Sequence, residues 1–202
     1  MTFWRGQLPL ILASQSRARQ LMLANAGIDF KAVPAEIDER AQQQRSGLTL
    51  PGDIAALLAR EKARSVSIRH PGHFVAGADQ TLALGTVLFS KPAGRIEAAE
   101  QLRALAGRSH QLHSAIAVAR ASKILFEAVA VATMAMRPLS QSEIERYVNE
   151  AGDAVTSSVG AYQVEGIGIH LFDRIQGDHF VILGLPLLEL LSFLRSERLL
   201  AV

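Results

Sequence analysis

A short apolar run, Leu10-Ile11-Leu12-Ala13, stops at two hydroxyls and two guanidiniums in Ser14-Gln15-Ser16-Arg17-Ala18-Arg19, and a helical pattern begins at once. Strand, polar turn, helix is the usual build of an anion site. Backbone N–H groups and the positive end of the helix dipole point at the turn. Serine hydroxyls donate to phosphate oxygens, and arginine offers a planar fork of donors. The segment therefore suggests a phosphorylated small ligand. The plainer alternative is surface Ser and Arg following a strand.

The rest of the chain alternates between the two periodicities. Helices are expected over Ser16–Ala26 with Gly27 as stop, from Pro51 or Asp53 to about Ser67, over Ile96–Leu105 closed by Gly107, and from Ser140 to about Asn149. Ser140 and Glu143 have the spacing of a capping box. Pro186 opens a C-terminal helix. Strands are expected at Leu8–Ala13, Phe30–Val33 and Phe74–Ala78, the last ending at Asp79. Thr81–Leu88 reads as a hairpin around Gly85, and Gln111–Ala119 with Ile124–Met136 as a second across Ala121-Ser122-Lys123. Gly160–Glu165 and Ile169–Phe172 read as extended, and Phe180–Leu183 as a last strand. Glu36–Gly52, polar with a glutamine run, reads as a loop with some disorder. Helix–strand alternation broken by hairpins predicts an α/β fold with a mixed sheet.

At 202 residues the chain fits one large domain or two small lobes. Aromatics are only 5%, so Leu, Val, Ile and Ala must supply the core. A formal charge of +2 with scattered basic residues argues against a general nucleic-acid binder. The absence of cysteine excludes disulfides, thiolate catalysis and zinc–thiolate sites, and fits a reducing cytosol. No apolar run is long enough to span a bilayer. Leu8–Ala13 is short for a signal peptide and runs into Arg17 and Arg19 rather than a cleavage site. The expectation is a cytoplasmic protein with neither membrane nor nucleic acid as partner.

Asp79 closes a buried apolar run, and a carboxylate there can bind a divalent cation or act as a general base. The alternative is a turn cap. Lys91 precedes Pro92 and so sits in a constrained extended segment. Lys62 lies on the helix starting near Asp53. Each also reads as a solvated surface lysine. Glu36, Asp38 and Glu39 cluster after a strand and can share Mg²⁺ with Asp79, or form an ordinary charged loop. His110 and His113 fall on opposite faces of a strand, which favours structural or hydrogen-bonding roles. No His–acid pair can be assigned to Ser14 or Ser16 as a nucleophile. Basic groups for phosphate, carboxylates for metal and no nucleophile describe phosphoryl chemistry with water attacking.

These residues carry a family resemblance. Leu-Ile-Leu-Ala-Ser-Gln-Ser at 10–16, Glu-Ile-Asp-Glu at 36–39, Glu61-Lys62-Ala63, Gly77-Ala78-Asp79-Gln80, Lys91-Pro92, Leu105-Ala-Gly-Arg-Ser-His110, Gly160-Ala-Tyr-Gln-Val-Glu-Gly166 and Gly184-Leu-Pro-Leu187 occur in order. From Leu10 to about Leu194 the chain resembles the Maf family of septum-formation proteins and nucleoside triphosphate pyrophosphatases. The resemblance implies one Maf-like domain over 1–202, as a single body or two lobes. It also implies a fold like that of inosine triphosphate pyrophosphatases: a curved mixed sheet flanked by helices, with a deep active-site cleft. A homodimer is implied, and a divalent cation, Mg²⁺ or Mn²⁺ or Co²⁺. The implied reaction splits a nucleoside triphosphate between the α and β phosphates.

By position, Asp79 matches the family's catalytic base. Ser14, Arg19, Lys62 and Lys91 match triphosphate-binding residues, Lys62 and Lys91 also serving catalysis. Glu39 matches the residue that holds metal with Asp79. Base preference is set where this chain has Ala18, Gln80 and Glu165. The dTTP/UTP branch has Arg, Thr and Gln there, and the 7-methyl-GTP branch has Trp, Gln and Glu. This chain follows the second branch at two positions, and a carboxylate suits guanine N1–H, its amine and a cationic methylated ring. Ala18 departs from both branches, removing a tryptophan that could stack on a purine, and Arg17 replaces the usual proline. The leading expectation is a house-cleaning enzyme for modified nucleotides. The alternatives are a nucleotide-binding cell-division regulator with little catalysis, a dTTP/UTP-preferring pyrophosphatase, and a triphosphatase of the inosine class.

Overall fold

The computed structural model describes residues 3–201. In chain order the elements are β1 (Leu10–Leu12), α1 (Arg17–Asn25), β2 (Phe30–Ala32), α2 (Glu39–Ser46), α3 (Pro51–Arg69), β3 (Val75–Leu84), β4 (Val87–Phe89), α4 (Arg95–Leu105), β5 (Ser109–Arg120), β6 (Lys123–Met136), α5 (Gln141–Ala151), β7 (Phe172–Gln176), α6 (His179–Ile182) and α7 (Leu187–Ser196), with three short 3₁₀ turns between α5 and β7. The strand order is β2-β1-β3-β5-β6-β7, with β4 on β3. Strand β1 is parallel to β2 and β3, while β3–β4 and β6–β7 are antiparallel. The fold is thus α/β with a seven-stranded mixed sheet, as the alternation of patterns predicted. The chain groups into two compact units, Met1–Gln80 with His113–Ala130 and His179–Val202, and Thr81–Leu112 with Val131–Asp178.

In the first unit strands β1, β3 and β5 are buried on both faces, and the period-2 alternation sorts their side chains. Leu10, Leu12, Ala76, Ala78, Ile116 and Val118 pack under α1 and α7 against Met22, Leu190 and Phe193. Ile11, Ala13 and Val75 face the other way, onto Val66 of α3. Further along α3 a row of small residues, Ala55, Ala59 and Ala63, packs against Ala115, Ala117 and Ala119 of the sheet. Gly77 makes this approach possible. A Cβ there would lie 2.3 Å from the Ala59 carbonyl oxygen and 2.5 Å from the Ala63 nitrogen. The close seat of α3 brings its Lys62 to β3.

In the second unit α5 begins with the predicted capping box, Ser140 Oγ accepting from the Glu143 N–H while Glu143 accepts from the Ser140 N–H. These bonds and Arg137 hold the Glu143 carboxyl down to about 2. A buried aromatic cluster joins His110, Tyr162 and Phe172, with His110 Nε2 2.6 Å from Tyr162 Oη. Burial drops the His110 imidazole to about 4, so it is neutral at physiological pH. His110 thus has the hydrogen-bonding role expected of it, while burial lowers His113 as well.

Four expectations are corrected. Residues 36–52 are not a loop throughout, because α2 spans Glu39–Ser46, with Asp38 capping the Ala41 N–H and Gly47 ending it in the left-handed region. Helix α2 buries no residue, so it leaves no apolar periodicity in the sequence; local caps alone define it. Strand β3 does not end at Asp79 but continues to Leu84. Asp79 and Gln80 are tolerated inside the sheet because Lys62 and Ser114 partner them. Phe180–Leu183 is not a strand: His179–Ile182 is one helical turn between Gly177 and Gly184, both at positive φ. A short apolar run does not distinguish strand from buried helix. The extended readings at Gly160–Glu165 and Ile169–Phe172 give way to 3₁₀ turns at Val159–Ala161 and Ile167–Leu171. Positive φ at consecutive Gly160 and Ala161 breaks the extended backbone there.

Candidate active site

The turn after β1 is organised around Ser14. Its Oγ accepts from the Ser16 N–H at 3.2 Å and from Arg19 Nη1 at 3.2 Å, while Ser16 caps α1 through the Arg19 N–H. With two donors on its oxygen, the Ser14 hydroxyl keeps its own hydrogen to donate. Arg19 is buried. Its Nε donates to the Gly184 carbonyl at 2.7 Å and its Nη1 to the Ala78 carbonyl at 2.8 Å. Burial pulls the guanidinium down, and the charges of Asp79 and Glu39 oppose that. Arg19 therefore ties the turn to the middle of β3 and to the loop before α7.

Asp79, 8% exposed, lies on the α3 face of β3. Lys62 Nζ is 2.6 Å from its Oδ1 and 2.8 Å from Glu39 Oε1. Burial pushes the Asp79 carboxyl above the ordinary carboxylate range, with Lys62 and Arg19 pulling the other way. One ammonium thus lies between two carboxylates, one buried and the other, Glu39, half exposed. Lys62, Arg19, Asp79 and Glu39 together sum to zero charge. Removing either partner of the Lys62–Asp79 pair would leave an uncompensated buried charge.

Gln80 points to the opposite face. Its Nε2 donates to Ser114 Oγ at 2.9 Å and to the carbonyls of Val181 and Ile182 at 3.0 and 3.1 Å. Ser114 gives its own proton to the Val181 carbonyl, so all three neighbours are acceptors and the amide orientation is chemically determined. The donor end of Gln80 is committed to the backbone, and its oxygen is left as an acceptor.

The structure thus brings Ser14, Arg19, Glu39, Lys62 and Asp79 into one connected charge cluster, with Ala18 in the first turn of α1 and Gln80 next in chain to Asp79. Lys91 and Glu165 belong to the second unit. Lys91 is exposed between β4 and α4, and Glu165 is exposed between the last two 3₁₀ turns. Two supporting residues were given no role in the site from the sequence, although Gly184 opens one of the family motifs. Ser114, fully buried inside an apolar strand, orients Gln80. Gly184, at φ +91°, supplies the carbonyl that holds Arg19, and a Cβ there would lie 3.2 Å from Arg19 Nη2. A serine at the start of the apolar stretch Ala115–Ala119 is the one signal that could have marked Ser114.

Fold and cluster together define an α/β protein whose site is built of opposed charges, with no catalytic triad around its serine. The chain belongs to the Maf-like protein family, whose model matches residues 9–197. It is 65% identical to a nucleoside triphosphate pyrophosphatase of Rhodopseudomonas palustris over 202 residues, covering 100% of both chains. It is 50% identical to a 7-methyl-GTP pyrophosphatase of Brucella abortus over 192 residues, 94% of this chain and 96% of that one. A solved nucleoside-triphosphatase, a dITP/XTP pyrophosphatase of Mycobacterium abscessus, matches with TM-score 0.42 and 16% identity over 95% of this chain and 96% of that one. Among the described residues no helix is long and apolar enough to cross a membrane.

Proposed function

We propose that this protein is a nucleoside triphosphate pyrophosphatase. It hydrolyses the α–β phosphoanhydride to release a nucleoside monophosphate and pyrophosphate. The observation that carries the reading is Asp79, a buried carboxylate held against Lys62, in a chain similar end to end to proteins named for this reaction. Water adds at phosphorus on one side of the bridging oxygen, and that oxygen departs with the other phosphate group. Asp79 orients the water and takes its proton. A carboxyl raised above its usual range is the better base for this. Lys62, released from Asp79 and Glu39 as substrate arrives, follows the phosphate charge, as do Ser14, Arg19 and Lys91.

A divalent cation fits this donor set. Asp79 and Glu39 already share one cation, the Lys62 ammonium. Among the described residues no group of three or more His, Cys, Asp or Glu could hold a metal. Mg²⁺ suits a site of one or two carboxylates completed by water and substrate phosphates. The cluster is also neutral on its own, so a polyphosphate needs positive charge from elsewhere. Bound by Asp79 and Glu39, the ion would supply charge neutralisation at the phosphates.

The base is guanine-like, with 7-methyl-GTP the first candidate. The acceptor oxygen of Gln80 suits an imide or amine N–H, and Glu165 is a second acceptor, while Ala18 leaves no indole to stack. The protein works as one Maf-like domain, as a homodimer, in the cytoplasm where triphosphates are made, and its lack of cysteine suits that compartment. The test is pyrophosphate release with Mg²⁺, Mn²⁺ or Co²⁺ across 7-methyl-GTP, GTP, UTP, dTTP, CTP and ITP, with Asp79→Asn as control. Turnover led by 7-methyl-GTP and lost in the variant supports the reading. A pyrimidine-led profile assigns the base choice to Ala18. Nucleotide binding without turnover would leave a regulator.

A further inference from the structure

Lys91 is exposed and makes no ion pair among the described residues, yet the backbone on both sides of it is fastened to α4. The Gln101 side-chain amide donates to the Ser90 carbonyl at 2.9 Å, just before Lys91. Glu97 Oε2 accepts from the Ala93 N–H at 2.8 Å, just after Pro92. Glu97 and Gln101 are one helical turn apart and are themselves joined, Gln101 Nε2 to Glu97 Oε1 at 3.4 Å. Between the two anchors Pro92 is buried, its ring fixes φ, and it restricts Lys91 before it.

We propose that Gln101 and Glu97 are positioning residues that hold the Lys91 backbone for phosphate while its ammonium stays free. The proposal rests on the pyrophosphatase reading, in which Lys91 meets the triphosphate. A clamped backbone lets a lysine bind an anion at the cost of ordering one side chain rather than a loop. The cost of the arrangement is visible. Gln101 is 7% exposed and its Oε1 is buried with no partner. A stranded acceptor destabilises a fold, and an apolar side chain of similar length would avoid it. Gln101 keeps that stranded acceptor while its amide holds the Ser90 carbonyl and Glu97, so its hydrogen bonds serve the segment that carries Lys91.

The test is a double-mutant cycle on the full chain with Gln101→Met and Lys91→Ala, reading melting temperature together with kcat and KM for pyrophosphate release. Binding of α,β-methylene GTP with Mg²⁺ is measured in parallel. Gln101→Met relieves the stranded oxygen but removes the donor to the Ser90 carbonyl, so it is expected to melt close to the wild-type temperature. Its kcat/KM should fall about tenfold, within the range expected when a binding group is misplaced by under an ångström. In the Lys91→Ala background the same substitution should do nothing further. Glu97→Gln, which keeps an acceptor for the Ala93 N–H, should fall less than Glu97→Ala. An equal loss from Gln101→Met with and without Lys91, or a loss that only tracks melting, overturns the proposal. Binding that follows the cycle without any turnover supports the clamp and refutes the hydrolysis reading. Turnover unaffected by Gln101→Met refutes the clamp alone, and a wild-type chain with neither turnover nor binding refutes both.

Discussion

Gly77→Ala tests the claim that the site depends on how closely α3 sits on the sheet. The added Cβ would meet the Ala59 oxygen at 2.3 Å, the Ala63 nitrogen at 2.5 Å and the Ala63 Cα at 3.0 Å, where ordinary contact begins at 3.4 Å. All three are backbone atoms, so no rotamer relieves the clash, and helix and strand must separate by about 1 Å. A gap of that size forfeits a quarter to a half of the dispersion energy at each contact it opens. It opens along the whole alanine row of Ala55, Ala59 and Ala63. We expect a loss of about 1–3 kcal/mol, the usual cost of overpacking. Lys62 rides on the displaced turn of α3, so its 2.6 Å bond to Asp79 stretches beyond hydrogen-bonding range. A displacement of this size is worth about 100-fold in kcat/KM. Urea unfolding and pyrophosphate release on the folded variant measure the two effects. Gly52→Ala on the same helix is the comparison: its Cβ would meet only ordinary contacts at 3.5 Å, so it should stabilise by about 0.4–1 kcal/mol. If Gly77→Ala unfolds within about 0.5 kcal/mol of wild type and turns over normally, α3 is not seated by this backbone contact.

Asp79→Asn should lower kcat by about 10²–10⁴ and also lose stability through the Lys62 charge it leaves less compensated, and the acid limb of the wild-type pH–rate profile should lie above the ordinary carboxylate range, because burial raises Asp79. A limb at or below that range would argue against Asp79 as the base. His110 is neutral in the fold down to about 4 but takes a proton near 6.5 when unfolded, so its contribution is full above 6.5 and is lost as pH falls toward 4. Urea titrations should show a loss on the order of 3 kcal/mol across that window, reduced in His110→Gln, and parallel curves would refute the assignment. Gly184→Ala places a Cβ 3.2 Å from Arg19 Nη2 and 3.6 Å from Gln80 Cδ at a φ of +91°, which should cost about 1–3 kcal/mol and shift the nucleotide profile. An unchanged profile would dissociate Gly184 from base choice.

Most of the elements could be read from periodicity and caps. The hairpin across Ala121 and Ser122, the Ser140–Glu143 box, the Gly27 and Gly107 stops and the mixed sheet all rest on local rules, and local rules act within a few residues. The misreadings share one cause. Helix α2 buries nothing, β3 runs on through three polar residues, and α6 is a single, mostly apolar turn. In each, the deciding partner is distant in sequence or the periodic signal is absent.

The same division runs through the site. The kinds of residue, hydroxyl and guanidinium after β1, lysine on α3 and carboxylates at 39 and 79, are read directly from the chain, and they restrict the chemistry to charge-built phosphoryl transfer. Their relations are not in the local sequence. That Lys62 spans Asp79 and Glu39, that Arg19 is anchored on the carbonyls of Ala78 and Gly184, and that Gln80 turns its donors to residues 181 and 182 depends on contacts across 17 to 165 positions of chain. Periodicity reports which face of an element is buried. Only the packed structure decides what that face meets, because close contact is settled by the shapes of two surfaces at once, as the missing side chain of Gly77 demonstrates.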